Sequence, residues 1–222
     1  MKIEIKNIAK RFKGKEVLRD ISFTAESGSC IGILGANGSG KSTLLSVLAG
    51  IQPADRGEFL CDGVELLHNS KRRSALVGYV PQGTPLIEEL TAKDNLRLWY
   101  DPESMARELD DGVLKLLGIG EFLKVPVSKM SGGMKKRLSI GCAVAQKPPI
   151  LLLDEPSSAL DLACKERIAS YLRHYKQEGG ILLLTTHDSM ELSACDEWYI
   201  IKQGVLVPYT FDGDVAKLAA SL

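Results

Sequence analysis

The stretch that decides the fold is GANGSGKST, Gly35–Thr43. It matches the phosphate-binding pattern G-x-x-x-x-G-K-[ST], in which glycines let backbone N–H groups turn inward around a chain of phosphates. The apolar run Cys30–Leu34 before it predicts a buried strand, and Lys41–Ala49 predicts a helix that stops at Gly50. Because the pattern requires a strand before it and a helix after it, this setting predicts a nucleotide-binding loop.

Every residue of this loop is a candidate ligand of a nucleoside triphosphate. The candidates are Gly35, Ala36, Asn37, Gly38, Ser39, Gly40, Lys41, Ser42 and Thr43. Lys41 can reach the β- and γ-phosphates, the Ser42 hydroxyl can bind Mg²⁺, and the helix N-terminus adds a dipole that favours anions. The guanine-specific pattern N-K-x-D is absent, since TAKD at Thr91–Asp94 does not match it. That absence favours ATP.

Polar groups follow three further predicted strands. Asp154 and Glu155 end one aliphatic run, where Asp154 can bind Mg²⁺ and Glu155 can take a proton from an attacking water. His187 follows a second run, where an imidazole can hydrogen-bond a γ-phosphate, and Gln82 follows a third. Because ligands of open α/β sheets bind at the carboxyl ends of the strands, we expect these groups along one edge of one sheet.

Each of these groups also has an ordinary structural interpretation. An acidic pair can be a solvated strand end, and a lone histidine is more often structural than catalytic. The phosphate-binding loop beside them favours the catalytic interpretation. Together they supply a phosphate cradle, a metal ligand, a base, an imidazole and an amide, which is the set that Mg²⁺-dependent hydrolysis of a nucleoside triphosphate needs.

The order of elements predicts an α/β core that is interrupted by helices. Alternating polar and apolar residues in Lys2–Ile8 and Ile21–Ala25 predict an antiparallel flank, and strands linked by helices predict a parallel central sheet. Residues 85–147 are expected to form a helical subdomain inserted in a single domain that spans 1–222. The other predicted strands are Glu58–Cys61, Leu76–Val80, Ile150–Leu153, Ile181–Thr185 and a hairpin around Gly204; the other predicted helices are Thr91–Trp99, Glu103–Gly118, one from Ser131, Leu162–Gln177 and Ser189–Ala194.

Composition argues against several classes of protein. Lys plus Arg equals Asp plus Glu at 28 each, so the basic excess of a dedicated nucleic-acid binder is missing, and Lys71–Arg73 and Lys135–Arg137 are predicted to be solvated. The five scattered cysteines indicate buried free thiols in a reducing compartment. The N-terminus does not have the pattern of a signal peptide. The longest aliphatic runs have four residues, whereas a membrane span needs about 20, so a cytoplasmic chain is expected.

A second glycine-rich stretch is SKMSGGMKKRLSIG, Ser128–Gly141. If Ser131 begins a helix, its hydroxyl and the amides of Gly132 and Gly133 face outward at the positive end of the helix dipole. This predicts a second anion site, and side chains at 132 or 133 should obstruct it. The ordinary alternative is a helix N-cap followed by flexible glycines.

With these motifs in this order, the chain resembles the nucleotide-binding subunit of an ATP-binding cassette (ABC) transporter, from about Ile3 to Gly204. The resemblance implies a P-loop NTPase fold with a RecA-like core, a mixed sheet and an inserted helical subdomain. It assigns Phe12 to adenine stacking, Gly35–Thr43 to the Walker A loop, Gln82 to the Q-loop and a contact with Mg²⁺, Ser131–Gly133 to the signature, Asp154 and Glu155 to the Walker B pair, Ser158–Asp161 to the D-loop, and His187 to the switch histidine.

The resemblance also implies partners. Two cassettes, identical or homologous, would close head to tail on ATP and Mg²⁺, each signature contacting the γ-phosphate held by the other, and would drive a separate multi-span transmembrane subunit from the cytoplasmic side of the membrane. Many members carry Leu at 130 and Gln at 134, where this chain has Met at both positions. The run S-G-G-M-K and the short C-terminal end are similar to the subgroup that serves drug, lipid and polysaccharide exporters.

Two rival functions stay open at the level of sequence. One is an ABC ATPase that regulates a membrane complex, of the cell-division or mechanotransducer type, without moving a substrate. The other is a nucleotide-gated scaffold with negligible hydrolysis, which the presence of Glu155 and His187 argues against.

Overall fold

The computed structural model describes the backbone of residues 1–222 and all side chains except those of Ser189 and Val215. The strands in chain order are β1 (Lys2–Phe12), β2 (Lys15–Glu26), β3 (Cys30–Leu34), β4 (Arg56–Cys61), β5 (Val64–Glu65), β6 (Val77–Val80), β7 (Ile150–Asp154), β8 (Ile181–Thr185), β9 (Glu197–Lys202) and β10 (Val205–Tyr209). The α-helices are α1 (Lys41–Ala49), α2 (Ser70–Leu76), α3 (Ala92–Leu96), α4 (Pro102–Asp111), α5 (Val113–Leu116), α6 (Gly132–Ala143), α7 (Leu162–Gln177), α8 (Ser189–Ala194) and α9 (Val215–Ser221).

Across the described backbone the ten strands form one mixed sheet in the order β5-β4-β1-β2-β10-β9-β3-β8-β7-β6. Strands β9, β3, β8, β7 and β6 run parallel to one another. Strand β1 pairs antiparallel with both β2 and β4. A single parallel pairing, Val205 with Asp20, joins this flank to the central sheet. The predicted parallel core with an antiparallel flank is therefore the observed one.

The central strands separate two apolar cores. In β7, Leu151 and Leu153 face one cluster of buried residues, whereas Ile150 and Leu152 face the other. Strand β8 divides in the same way. Because successive side chains of a strand point to opposite faces, a strand covered on both sides needs a continuous aliphatic run, and both strands have one.

The helices α3 to α6 lie between β6 and β7 in the chain. They are tied together at their base, where the N–H of Ala92 donates to the carbonyl of Val125 and the N–H of Val127 to that of Leu90. Buried leucines of α3, α5 and α6 share one core with β7. This is the predicted helical insertion by position; its division from the rest at residues 85 and 147 stays a prediction.

Five predicted elements have the observed bounds, the others differ at one or both ends, and two of the predictions are wrong. The bounds of β3, α1, α7, β8 and α8 are as predicted. The strand predicted from Leu76 begins at Val77, because Leu76 ends α2, a helix that the pattern does not predict. The single helix predicted over Glu103–Gly118 is broken at Gly112, where Glu108 turns back to accept the N–H of Val113. Helix α9 is also unpredicted.

Two further findings concern cysteines and membrane spans. Among the described side chains, all five cysteines are buried and free, as predicted. Within the described residues, no helix combines the length and the apolar character that a bilayer crossing requires.

Candidate active site

The predicted catalytic groups lie at the carboxyl ends of four neighbouring parallel strands. The phosphate loop follows β3, His187 follows β8, Asp154 and Glu155 end β7, and Gln82 follows β6. Side-chain contacts join three of them. The Gln82 amide donates to Glu155 Oε2 at 3.1 Å, and His187 Nε2 lies 3.9 Å from Glu155 Oε1. Glu155 therefore sits between an amide and an imidazole.

In the phosphate loop, the N–H of Ser39 donates to the carbonyl of Ala36, whereas the N–H groups of Gly38, Gly40 and Lys41 have no described acceptor. Gly40 forms the N-cap of α1 with φ 111°, a left-handed conformation that favours glycine, and no described side chain caps this helix. A Cβ at Gly35 would collide with the side chain of Ser39. The Ser39 hydroxyl is buried and has no hydrogen-bond partner among the described residues. Open amides and an orphaned hydroxyl fit the oxygen atoms of a phosphate chain.

Lys41 folds back into this loop. Its ammonium donates to the carbonyls of Gly35 at 2.6 Å and Ala36 at 3.3 Å, and the residue is 6% exposed. Burial lowers the pKa of Lys41, and the nearby carboxylates of Glu155 and Asp154 oppose that shift. A cation held only by carbonyls can exchange them for phosphate oxygens, which form stronger charge-assisted hydrogen bonds.

The acidic pair is held in place by the neighbouring strand. Thr185 Oγ1 donates to Asp154 Oδ1 at 2.6 Å and accepts the N–H of Glu155 at 3.1 Å. Glu155 has φ 47°, a conformation that a residue other than glycine adopts rarely and that commonly marks functional sites. Thr185 is a positioning residue that the sequence pattern misses; the available signal is a hydroxyl that ends an otherwise aliphatic strand.

The surroundings of Glu155 suit hydrolysis. Burial lowers the pKa of His187, the charge of Lys41 adds to the effect, and Glu155 opposes it, so the surroundings favour the neutral imidazole. A cavity of about 190 Å³ opens beside Glu155, large enough for several water molecules. It is lined by Glu155, Ser157, Ser158, Lys165, Thr186, His187 and Asp188.

The residues predicted to bind Mg²⁺ supply the oxygen ligands that this ion prefers. They are the hydroxyl of Ser42, the side-chain carbonyl of Gln82 and the carboxylate of Asp154. Within the described residues, no group of three or more His, Cys, Asp or Glu side chains could hold a metal ion. The donor set therefore fits an ion that takes its other ligands from phosphates and water, and the role of each residue stays a proposal.

Ser131 is the N-cap of α6. Its Oγ accepts the N–H of Met134 at 3.2 Å, and Ser131 and Gly132 are exposed. Gly133 is buried, and a Cβ there would lie 2.9 Å from Cys164 Sγ in α7. A Cβ at Gly132 would meet only the end of Leu160 at 3.9 Å. The two glycines thus serve different purposes. Gly133 allows α6 to pack against α7, and only Gly132 leaves an exposed stretch of backbone without a side chain.

The prediction that both basic runs are solvated is wrong for three residues. Lys136 is 5% exposed, and its ammonium donates to backbone carbonyls. Arg137 donates to the carbonyl of Leu117 and lies over the ring of Phe122. Arg73 is half-buried and donates to a backbone carbonyl. Tertiary packing brings buried carbonyls to these cations, which a charge pattern along the chain does not encode.

Two predicted site residues have other contacts in the single chain. Phe12 ends β1 with an exposed ring, 5.3 Å from the ammonium of Lys10. Asp161 caps α7 by accepting the N–H of Cys164 at 2.8 Å. Adenine stacking by Phe12 and a D-loop role for Asp161 stay predictions.

Comparison with known proteins defines the class of this site. Residues 18–158 match the family described as ABC transporter. Over 207 residues, 91% of this chain, it is 36% identical to the Nod factor export ATP-binding protein I of Sinorhizobium fredii. Over 214 residues, 92% of this chain, it is 33% identical to the lipopolysaccharide export system ATP-binding protein LptB of Escherichia coli. It spans 60% of the first relative and 88% of the second.

Solved structures agree. An ATP-binding subunit of an ABC transporter superposes with a TM-score of 0.84 at 26% identity, covering 99% of this chain and 94% of that one. An ATP-binding cassette in a dimeric post-hydrolysis state, bound to ADP and Pi, superposes with a TM-score of 0.83 at 27% identity, covering 94% of this chain and 98% of that one.

The chain therefore belongs to the ABC transporter family. It is an ATP-binding cassette of that family, so the predicted P-loop NTPase fold, the binding of ATP and the enzyme class of the ATPases are confirmed. The two relatives described above are export proteins, in agreement with the exporter-type subgroup that the signature segment predicts.

Proposed function

We propose that this chain is the ATP-hydrolysing subunit of an exporter, in which ATP-driven closure of two cassettes drives a separate multi-span transmembrane subunit. The observation that carries the proposal is the position of Glu155, which is held by Thr185 beside the phosphate loop and lies between Gln82 and His187. The named roles of the relatives support the direction of transport.

Hydrolysis follows from this arrangement. The open amides of the phosphate loop and Lys41 bind the phosphate chain, and Gln82 and His187 orient a water beside Glu155. The water oxygen attacks the γ-phosphorus, its proton passes to the Glu155 carboxylate, and the bond to the bridging oxygen of ADP breaks. Mg²⁺, held by Ser42, Gln82 and Asp154, would neutralise charge that develops on the phosphates.

A second cassette completes the site. The Ser131 oxygen already accepts the N–H of Met134, so its own proton is free to donate to an incoming anion. Gly132 leaves the approach unobstructed. We assign this face to the γ-phosphate of a head-to-tail partner, either a second copy or a homologue. The D-loop with Asp161 lies next to it in the proposed dimer.

The helical insertion, residues 85–147, is assigned to the transmembrane subunit. Ile87, Leu98 and Trp99 of this insertion expose 45%, 58% and 55% of their surface, so they offer apolar side chains to a partner. They follow Gln82 in the chain. A movement of Gln82 when the γ-phosphate binds can therefore displace these side chains. The proposed cassette is peripheral, on the cytoplasmic side of the membrane.

The test of hydrolysis is Glu155→Gln, which removes the proton acceptor and keeps the shape. ATPase activity should fall by about 10²–10⁴-fold while ATP binding persists. In ATP, the variant should accumulate as a dimer in size-exclusion chromatography with light scattering. Glu166→Gln, an exposed carboxylate in α7, is the matched control. Full ATPase activity in Glu155→Gln would overturn the role of Glu155.

Transport is tested by co-purification with the transmembrane subunit. In an exporter, a candidate cargo should stimulate ATP hydrolysis by the complex. A complex whose ATPase activity responds to a protein partner and to no cargo would instead support the regulatory ABC ATPase.

A further inference from the structure

Lys136 is a buried cation in the first half of α6. Its ammonium donates to the carbonyl oxygens of Pro81 and Gln82, each at 2.9 Å. These carbonyls belong to the segment that leaves β6 and carries the Gln82 side chain. One lysine thus fastens the Gln82 segment to the helix that begins at Ser131.

Packing alone does not require a charge at this position. Burying an ammonium costs free energy, and an apolar side chain of similar size commonly fills such a space at least as well. Burial lowers the pKa of Lys136, while the carboxylates of Asp154, Glu191 and Glu155 oppose that shift. The charge strengthens both hydrogen bonds, so the contact is a directional tether.

The tether stands between two sites. On one side, Gln82 donates to Glu155, the base assigned to the ATP of this chain. On the other side, Lys136 lies five residues after Ser131, about 7.5 Å along a helix. A helix moves as a rigid element, so a displacement at Lys136 also displaces Ser131.

We propose that Lys136 is a positioning residue that couples the two ATP sites of the dimer. It touches neither ATP. It holds the main chain of Gln82 against α6, so that movement of Gln82 when this chain binds ATP carries Ser131 toward the γ-phosphate of the partner. The inference rests on the proposed function, because the signature acts only on a second cassette.

The first test is Lys136→Met, which removes the ammonium group and keeps an unbranched side chain one atom shorter. ATP affinity of the single chain should stay within about twofold, whereas kcat should fall about tenfold and the Hill coefficient for ATP should drop to 1 from a wild-type value above 1. Lys136→Arg, whose guanidinium can donate to both carbonyls, should restore most of kcat and of the Hill coefficient.

The control for a merely structural role is Arg137→Met. Arg137 also lies on α6 and also donates to a backbone carbonyl, but that carbonyl is the one of Leu117 within the insertion. Its loss should lower Tm and leave the Hill coefficient unchanged. If Lys136→Met does not fold, Lys136→Gln retains a polar group that is too short to reach both carbonyls, and it should show the same loss of cooperativity.

An equilibrium measurement separates this inference from the proposed hydrolysis. In the Glu155→Gln background, Lys136→Met should raise the dimer dissociation constant in ATP by about tenfold. The dimer dissociation constant can be measured without ATP turnover. An inactive wild-type chain would therefore overturn the proposed function, and the role of Lys136 would still be tested. Dimerisation and Hill coefficient both equal to those of the parent, or an equal loss in Arg137→Met, would overturn the role of Lys136.

Discussion

Two helix N-termini in this chain are proposed to bind phosphates, and they are built in opposite ways. Helix α1 begins after Gly40 in a left-handed conformation, with no cap from any described side chain. Helix α6 begins after Ser131 in an extended conformation, and the serine caps it. The first N-terminus has no side-chain acceptor for its backbone donors, whereas in the second the Ser131 hydroxyl accepts one of them, the N–H of Met134.

The two helix N-termini also differ in the charged and polar side chains around them. The phosphate loop contains its own buried lysine, and the Ser39 hydroxyl has no described partner, which leaves it free for a phosphate oxygen. At the signature, Lys136 is turned toward Gln82, and Lys135 is paired with Glu88. The N-terminus of α6 therefore offers hydrogen-bond donors to an anion, but Lys135 and Lys136 have other partners. This arrangement suits a phosphate that another cassette already holds.

The largest effect is expected at Lys41, the cation of the phosphate loop. Lys41→Met should weaken ATP binding to the single chain by about 2–5 kcal/mol, because a charge partner of the phosphates is lost inside the loop. A titration with a fluorescent ATP analogue, at protein concentrations too low for dimers, measures this. Lys124→Met, at an exposed position, is the control. Equal affinities in both variants would show that the loop does not bind through Lys41.

The sequence predicts the phosphate loop and the strand ends because those signals are local. Nine consecutive residues encode the loop, and each candidate catalytic side chain lies two or three positions after an apolar run. The parallel order of β3, β8, β7 and β6 then brings them together. Helix α2 escapes prediction because it has no buried residue, and hence no apolar periodicity to detect.

What the sequence cannot predict are contacts between separate elements. Thr185 reaches Asp154, and Cys164 packs on Gly133, each across 31 positions of the chain. Lys136 has the appearance of a surface lysine until the Gln82 segment is placed over it. Each contact depends on which strands and helices become neighbours, so a pattern of residue types along the chain does not contain it.

The next effect separates the two roles of Ser131. Ser131→Asp keeps a good N-cap, so Tm should hold, but its carboxylate would face the phosphate of the partner. We expect kcat to fall by about 10²-fold, the loss typical when a donor to a reacting oxyanion is removed. Ser131→Asn, which caps and still donates, should retain more activity than Ser131→Asp. Steady-state ATPase assays measure kcat, and thermal melts measure Tm. A wild-type rate in Ser131→Asp would contradict the proposal that this helix N-terminus binds a phosphate.

The smallest effects are expected at the two adjacent glycines that begin α6. Gly133→Ala should destabilise the fold by about 1–3 kcal/mol, because its Cβ presses on Cys164 in a packed core. Gly132→Ala should stay within about 0.5 kcal/mol of the wild type, since its Cβ has room, yet it should lower kcat in the dimer. Urea unfolding measures the stability of both variants, and an ATPase assay measures kcat.

The pair contains its own control, because each variant adds one methyl group to the same turn of α6. In the double variant Gly133→Ala/Cys164→Ala, the space that the thiol leaves should recover part of the stability that Gly133→Ala loses. Adding Cys164→Ala to Gly132→Ala should recover no stability. Equal losses of stability at 132 and 133, or full dimer turnover in Gly132→Ala, would mean that the terminus of α6 needs its glycines for packing alone. The contrast with α1 would then reduce to a difference in capping.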